Sequence, residues 1–262
     1  MKIGFFDSGL GGLSVLNHAM REMPGTEFLY YADLDNVPYG SRPAEEIITF
    51  ARKAVKSLRE EGAEAIVIAC NTATSAAIKT LREENDIPIV GMEPAVKPAV
   101  AIAGDKRVLV CATPFTLREK KLHDLLQKYD TNNITDLLPL PKLVNFAEKN
   151  MFDAPEMKEY LAGEFGKINP ADYSVFVLGC THFNFFKDTI CEFFPKGMRF
   201  IDGIEGTIRH LKELIPTEEF HSEGMTAIKF YFSGREVTDR ETLKRIESDF
   251  GRLQEMVEIK EV

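Results

Sequence analysis
Two ten-residue stretches, AIVIACNTAT (65–74) and SVFVLGCTHF (174–183), share one frame: an apolar run, a small residue, a cysteine and two polar side chains. A thiolate is a competent general base, and an ordinary thiol pKa of about 8.5 lets the same group serve as acid or base near neutrality. If Cys70 and Cys180 flank one bound carbon, one thiol removes a proton from its first face and the other delivers a proton to its second. That exchange inverts a stereocentre without any cofactor. A neutral thiol is a poor base, so each needs a tuning partner. His182 stands two residues from Cys180, and Asp7 ends a strand expected in the same lobe as Cys70. The other cysteines, Cys111 in RVLVCAT and Cys191 in DTICEFF, read as buried structural thiols. None of the four forms a CxxC pair, which argues against a zinc ribbon or a thioredoxin-type site. The alternative for Cys70 and Cys180, a metal or redox pair, predicts bound metal or a reductant-sensitive disulfide.

The glycine-rich DSGLGGLSV (7–15) invites a nucleotide reading. Ser14 fills the place of the third glycine of G-x-G-x-x-G, however, and no Gly-Lys-Ser/Thr follows. What remains is a tight turn presenting backbone N–H groups at the start of a helix, a seat for a carboxylate. In VPYGS (37–41), Tyr39, Gly40 and Ser41 offer further donors to an anionic ligand.

These residues need strands that end together. KIGFF, EFLYYAD, AIVIA and IPIVG read as buried strands, alternating with helical stretches such as EEIITFARKAVKSLREEG. In that helix Ile47, Ile48, Ala51, Val55 and Leu58 fall on one face, and Gly62 stops it. EPAVKPAV (93–100), with two prolines, reads as a crossing between lobes. The pattern then restarts with the strand RVLVCA, a polar turn TPFT and further helices, with SVFVLG and RFID as strands. FNFFKDTICEFF reads as a helix closed by Pro195, TAIKFYFS as a strand, and the chain from about Thr238 as a helical tail. Asp7 precedes Cys70 by 63 positions and Thr113 precedes Cys180 by 67, which implies duplication of one unit. The expected fold class is α/β: two pseudo-symmetric lobes, each a mostly parallel sheet flanked by helices. Ligands of open α/β sheets bind beyond the carboxyl ends of the strands. Lobes facing each other there would place both thiols in one cleft.

The 262 residues suffice for two lobes, and 44% hydrophobic with 28% charged residues describes an ordinary globular chain. A net charge of −9 argues against a nucleic-acid surface. KIGFFDSG turns polar too early for a signal peptide, and no apolar run is long enough to span a bilayer, so a cytoplasmic location is expected.

DSGLGGLSV, YYADLDNVPYGS, ACNTAT, IPIVG and GCTHF occur here in the order found in a known family. Along nearly its whole length the chain resembles the cofactor-independent glutamate racemases of the aspartate/glutamate racemase family. The resemblance implies an isomerase that interconverts L- and D-glutamate for peptidoglycan and so for cell-wall biogenesis and cell shape. It implies no cofactor and no metal, a small-molecule substrate with no nucleic-acid or membrane partner, and a homodimer. Cys70 and Cys180 would be the acid/base thiols, assisted by Asp7 and His182 respectively, with Glu148 supporting the histidine. Asp7, Ser8, Tyr39, Gly40, Ser41, Asn71, Thr72, Thr113, Thr116, Thr181 and His182 would line the substrate. The implied first lobe is 1–93 plus a returning 206–262, and the second 94–205. Asn184, Phe115 and Asn145 depart from the family pattern, which bears on local loop geometry. Two rival functions are a racemase of another acidic amino acid such as aspartate, and a non-catalytic binding or regulatory relative.

Overall fold
KIGFFD is apolar enough to be covered on both faces, and from Ile3 onward every residue of it is buried in β1 (Lys2–Asp7). In the computed structural model, which describes residues 1–215 and 226–260, nine further strands follow among the described residues. They are β2 (Glu27–Ala32), β3 (Ala65–Ile68), β4 (Ile89–Gly91), β5 (Arg107–Ala112), β6 (Thr135–Pro139), β7 (Tyr173–Leu178), β8 (Arg199–Ile201), β9 (Ala227–Phe232) and β10 (Arg235–Glu236). Residues 216–225 and 261–262 of the expected returning segment and helical tail lie outside the described residues.

The strands form two sheets, ordered β10-β9-β2-β1-β3-β4 and β6-β5-β7-β8. Every pairing is parallel except that of β10 with β9. The order β2-β1-β3-β4 is repeated as β6-β5-β7-β8, the topological signature of the duplication that the Asp7–Cys70 and Thr113–Cys180 spacings imply. The first sheet is extended by β9, which joins β2 in register from Glu27↔Ala227 to Ala32↔Phe232. The fold is thus two parallel-sheet α/β lobes with helices against the sheets. One large core cluster runs through both, from Phe5 and Val67 to Leu109 and Phe176. Among the described residues no helix is long and apolar enough to cross a membrane.

Four segments differ from the sequence reading. The expected crossing 93–100 does connect β4 of the first sheet to β5 of the second, but part of it is helical, Val96–Ile102, because Val96 and Ala99 find a core to enter. TPFT is not a free turn: Thr113 caps a short helix, Pro114–Arg118, by accepting from Thr116 N–H. FNFFKDTICEFF begins as a 3-10 turn, Thr181–Phe186, before a short helix, Lys187–Cys191. All six residues of the turn are buried, so no solvent-facing stripe exists to support an amphipathic helix there. Finally, β6 was hidden by Asp136 and Pro139. As an edge strand it tolerates the proline, and Asp136 accepts from Arg107 Nη2 at 2.7 Å.

Candidate active site
Both frames end as their sequence suggests, with a thiol two residues past a strand. Cys70 follows β3 and caps the helix Asn71–Glu84, its Sγ accepting from Ala73 N–H at 3.4 Å. Cys180 follows β7 and opens the turn Thr181–Phe186. Both are free thiols, 5% and 7% exposed. Burial, then the charge of Asp7, pushes Cys70 up to about 12, and Cys180 is among the groups it senses. Hydrogen bonds tie their neighbours together: Cys70 bonds Ser8, and Asp7 beside Ser8 accepts from Thr181 beside Cys180.

Cys180 Sγ lies 3.8 Å from His182 Nδ1, and His182 Nε2 lies 2.6 Å from Glu148 Oε1. Burial disfavours the imidazolium, but the thiol and carboxylate on its two sides outweigh burial and raise His182 well above its ordinary pKa. Asp7, at the end of β1, is fully buried and accepts from Gly9 N–H (2.9 Å) and Thr181 Oγ1 (3.1 Å). Its carboxylate makes no hydrogen bond to Cys70. Instead Cys70 Sγ donates to Ser8 Oγ at 3.5 Å, and Asp7 acts on the thiol through its charge.

The glycine turn departs from its expected use. Its N–H groups seat the protein's own carboxylates: Gly9 N–H binds Asp7, and Leu10 N–H donates to Glu148 Oε1 at 2.7 Å. Close approach is what demands glycine here. A Cβ on Gly9 would stand 2.0 Å from Glu148 Oε1, and one on Gly11 2.5 Å from His182 Nδ1.

A second polar group joins the lobes. Thr72 Oγ1 lies 2.9 Å from Thr113 Oγ1 and 3.3 Å from Thr116 Oγ1, and Thr113 donates to Thr116 at 3.1 Å. Gly40 packs against Thr113, where a Cβ would meet the threonine Cβ at 2.8 Å. Tyr39 is buried and donates to Asp33 Oδ2 at 2.6 Å. Asn71 donates to Met92 O at 3.4 Å, while its buried Oδ1 accepts no hydrogen bond among the described residues. Ser41 is exposed, unlike Tyr39 and Gly40 beside it, and stays outside this buried group. Asn184 is buried in the turn after Cys180 and donates to Thr181 O at 3.4 Å, while Phe115 is buried and Asn145 exposed. A cavity of about 1190 Å³ lies elsewhere, lined by His18, Arg21, Lys187 and Asp202 among others, and includes neither thiol.

Sequence reasoning missed three supports of the site. Asp33, read only as the end of a strand, anchors Tyr39 and accepts from Ser233 Oγ. Tyr30, hidden in an apolar run, donates to Gly9 O at 2.8 Å and so pins the glycine turn. Arg245, on the C-terminal helix, donates to the main-chain carbonyl of Glu148. An aspartate just past a buried strand was a usable signal for the first; the other two carry none.

The family model of the Asp/Glu/hydantoin racemases matches residues 8–211. The chain is 50% identical to a glutamate racemase of Campylobacter curvus, covering 99% of this chain and 100% of the relative. Glutamate racemase from Campylobacter jejuni superposes with a TM-score of 0.79 at 29% identity, covering 96% of this chain and 98% of that one. Escherichia coli glutamate racemase, solved with L-glutamate and the activator UDP-MurNAc-ala, gives a TM-score of 0.81 at 25% identity over 95% and 94%. A two-lobed α/β protein with paired thiols at equivalent strand ends is thereby placed. It belongs to the Asp/Glu/hydantoin racemase family.

Proposed function
We infer that this chain is a glutamate racemase, an isomerase that moves a proton on and off Cα of glutamate with two thiols and neither pyridoxal phosphate nor metal. The observation that carries the reading is the pair of free, buried thiols past β3 and β7, each beside its own charged partner. The names of the relatives and the L-glutamate bound in the Escherichia coli protein support glutamate as substrate.

Cys180 takes the proton from L-glutamate, and Cys70 gives one to the opposite face to yield the D-enantiomer; the reverse reaction exchanges the roles. Burial and Asp7 hold Cys70 up to about 12. It therefore keeps its proton in the empty site and becomes a strong base once that proton has gone. The imidazolium of His182, held by Glu148, stands where it can share a proton with Cys180. Asn71 Oδ1, buried with no partner among the described residues, would accept from the substrate ammonium, while Ser8, Thr72, Thr113, Thr116 and Thr181, with Tyr39 and Gly40, shape the room for its carboxylates. The same reading gives the protein a cytoplasmic role as a homodimer supplying D-glutamate for peptidoglycan, and with it cell-wall biogenesis and cell shape.

Circular dichroism on both enantiomers of glutamate and aspartate, after dialysis against chelator and with no added cofactor, tests this directly. Glutamate is expected to racemise, and Cys70→Ala or Cys180→Ala to nearly abolish turnover. Dependence on metal or pyridoxal phosphate, or a preference for aspartate, would overturn the assignment. The helpers are tested by isotope effects, because enantiomers of equal free energy force kcat/KM to be equal in both directions for every variant. Asp7→Asn raises the barrier of the Cys70 step, so the deuterium effect grows for Cα-labelled D-glutamate and shrinks for the L-enantiomer. His182→Gln does the reverse.

A further inference from the structure
The C-terminal helix, Arg240–Val257, packs against the turn Thr181–Phe186 that carries His182. Its start is fixed by Asp239, whose carboxylate accepts from Thr242 N–H at 2.8 Å. Arg245 and Arg252 are two helical turns apart and share a face. Arg245 Nη2 donates to the main-chain carbonyl of Glu148, the last residue of the helix Pro141–Glu148. The final carbonyls of a helix have no partner within it, and a cation there also meets the negative end of the helix dipole. Arg252 Nε donates to Phe185 O at 3.2 Å, and its Nη2 to Asp188 Oδ1 at 2.8 Å. Phe185 lies three residues after His182 in the same turn. One helix face thus grips, by main chain, the two segments whose side chains meet in the 2.6 Å contact between His182 and Glu148.

Between the two arginines sits Asp249, 1% exposed. Neither of its carboxylate oxygens has a hydrogen bond among the described residues, and Arg245 Nε, equally unbonded, lies 4.0 Å from Oδ2. A carboxylate taken so far from water is retained at the expense of stability unless its charge serves a neighbour. Here that neighbour is the guanidinium that points at Glu148.

We propose that Arg245 and Arg252 are positioning residues for the proton transfer at Cys180: the C-terminal helix sets the His182–Glu148 contact by holding the main chain of Glu148 and, at Phe185, that of the turn carrying His182. The proposal rests on the reading of Cys180 and His182 as one proton-transfer unit. Displacing a reacting group by about 1 Å costs on the order of a hundredfold in rate, and loosening one of two clamps is a smaller disturbance.

Arg245→Ala, Arg245→Lys and His182→Gln in the full chain are compared with Cα-deuterated D- and L-glutamate. Arg245→Ala is expected to lower kcat about tenfold with KM within about twofold. It should also raise the isotope effect on kcat/KM for L-glutamate and lower it for D-glutamate, as His182→Gln does. Arg245→Lys, still able to donate to the carbonyl, should recover most of the rate. A lowered Tm with both isotope effects unmoved, or both moved in one direction, would overturn the clamp. If His182→Gln itself gives no L-sided shift, the reading of the Cys180 unit is at fault; if it does and Arg245→Ala does not, the clamp alone fails. Arg252→Ala, expected to show the same L-sided shift with a smaller rate loss, decides the matter should Arg245→Ala not fold.

Discussion

Asp7→Asn is expected to make the protein more stable at neutral pH while it slows turnover. Asp7 is fully buried, and burial above all lifts its pKa from 3.8 to about 6, against the opposing pull of His182 and the Gly9 N–H. An acid whose pKa is higher folded than unfolded binds its proton more tightly in the native state, so stability falls as pH rises between the two values. The cost of burying this carboxylate is therefore absent below about pH 4 and complete above about pH 6. At about 1.4 kcal/mol per pH unit, the interval from 3.8 to about 6 corresponds to roughly 3 kcal/mol. Asparagine keeps the shape and loses the charge. Its oxygen still accepts from Gly9 N–H, and its amide donates to Thr181 Oγ1, whose hydroxyl turns to suit. The charge-assisted bonds from Gly9 and Thr181 are already counted in that interval, since they oppose the rise. The net expectation is about 3 kcal/mol in favour of the variant above pH 7. Urea unfolding of both proteins between pH 4.5 and 8 measures it, since the other carboxylates largely cancel in the difference. The advantage of Asp7→Asn should grow through pH 5–6 and level off above pH 7. A difference that stays flat across this range, or that turns against the variant as pH rises, would refute the reasoning.

Two further perturbations test packing at the site. In Gly11→Ala the new Cβ would stand 2.5 Å from Thr181 Oγ1 and from His182 Nδ1, and 2.6 Å from the His182 backbone nitrogen. The turn must retreat by about 1 Å, which should cost 1–3 kcal/mol of stability and on the order of a hundredfold in turnover; a variant keeping half its activity would contradict the fit. Phe115 is the one residue between β4 and β8 in the core cluster that holds Tyr39 and Cys70, and it lies between two of the bridging threonines. Phe115→Ala should lower stability by about 3 kcal/mol and raise KM for glutamate more than it lowers kcat. An unchanged KM would show that this ring does not help to close the lobes.

Much of the fold was legible because local pattern encodes local structure. Continuous apolar runs marked buried parallel strands, and the repeated interval from Asp7 to Cys70 and from Thr113 to Cys180 marked a repeated unit, later seen as the repeated strand order. The strand frames also put both thiols at strand ends, where the chain is free to present a side chain to a ligand. What sequence left open were contacts between residues far apart in the chain. Leu10 N–H reaches Glu148 across 138 positions, Thr181 reaches Asp7 across 174, and Arg245 reaches Glu148 across 97. No periodicity encodes such pairs, because each depends on how two finished elements pack and on which polar groups packing leaves in need of a partner. The glycine turn illustrates the division. Its sequence dictated a tight bend with free N–H groups and placed Asp7 within local reach of Gly9, and only the approach of the helix Pro141–Glu148 decided that Leu10 N–H would hold Glu148.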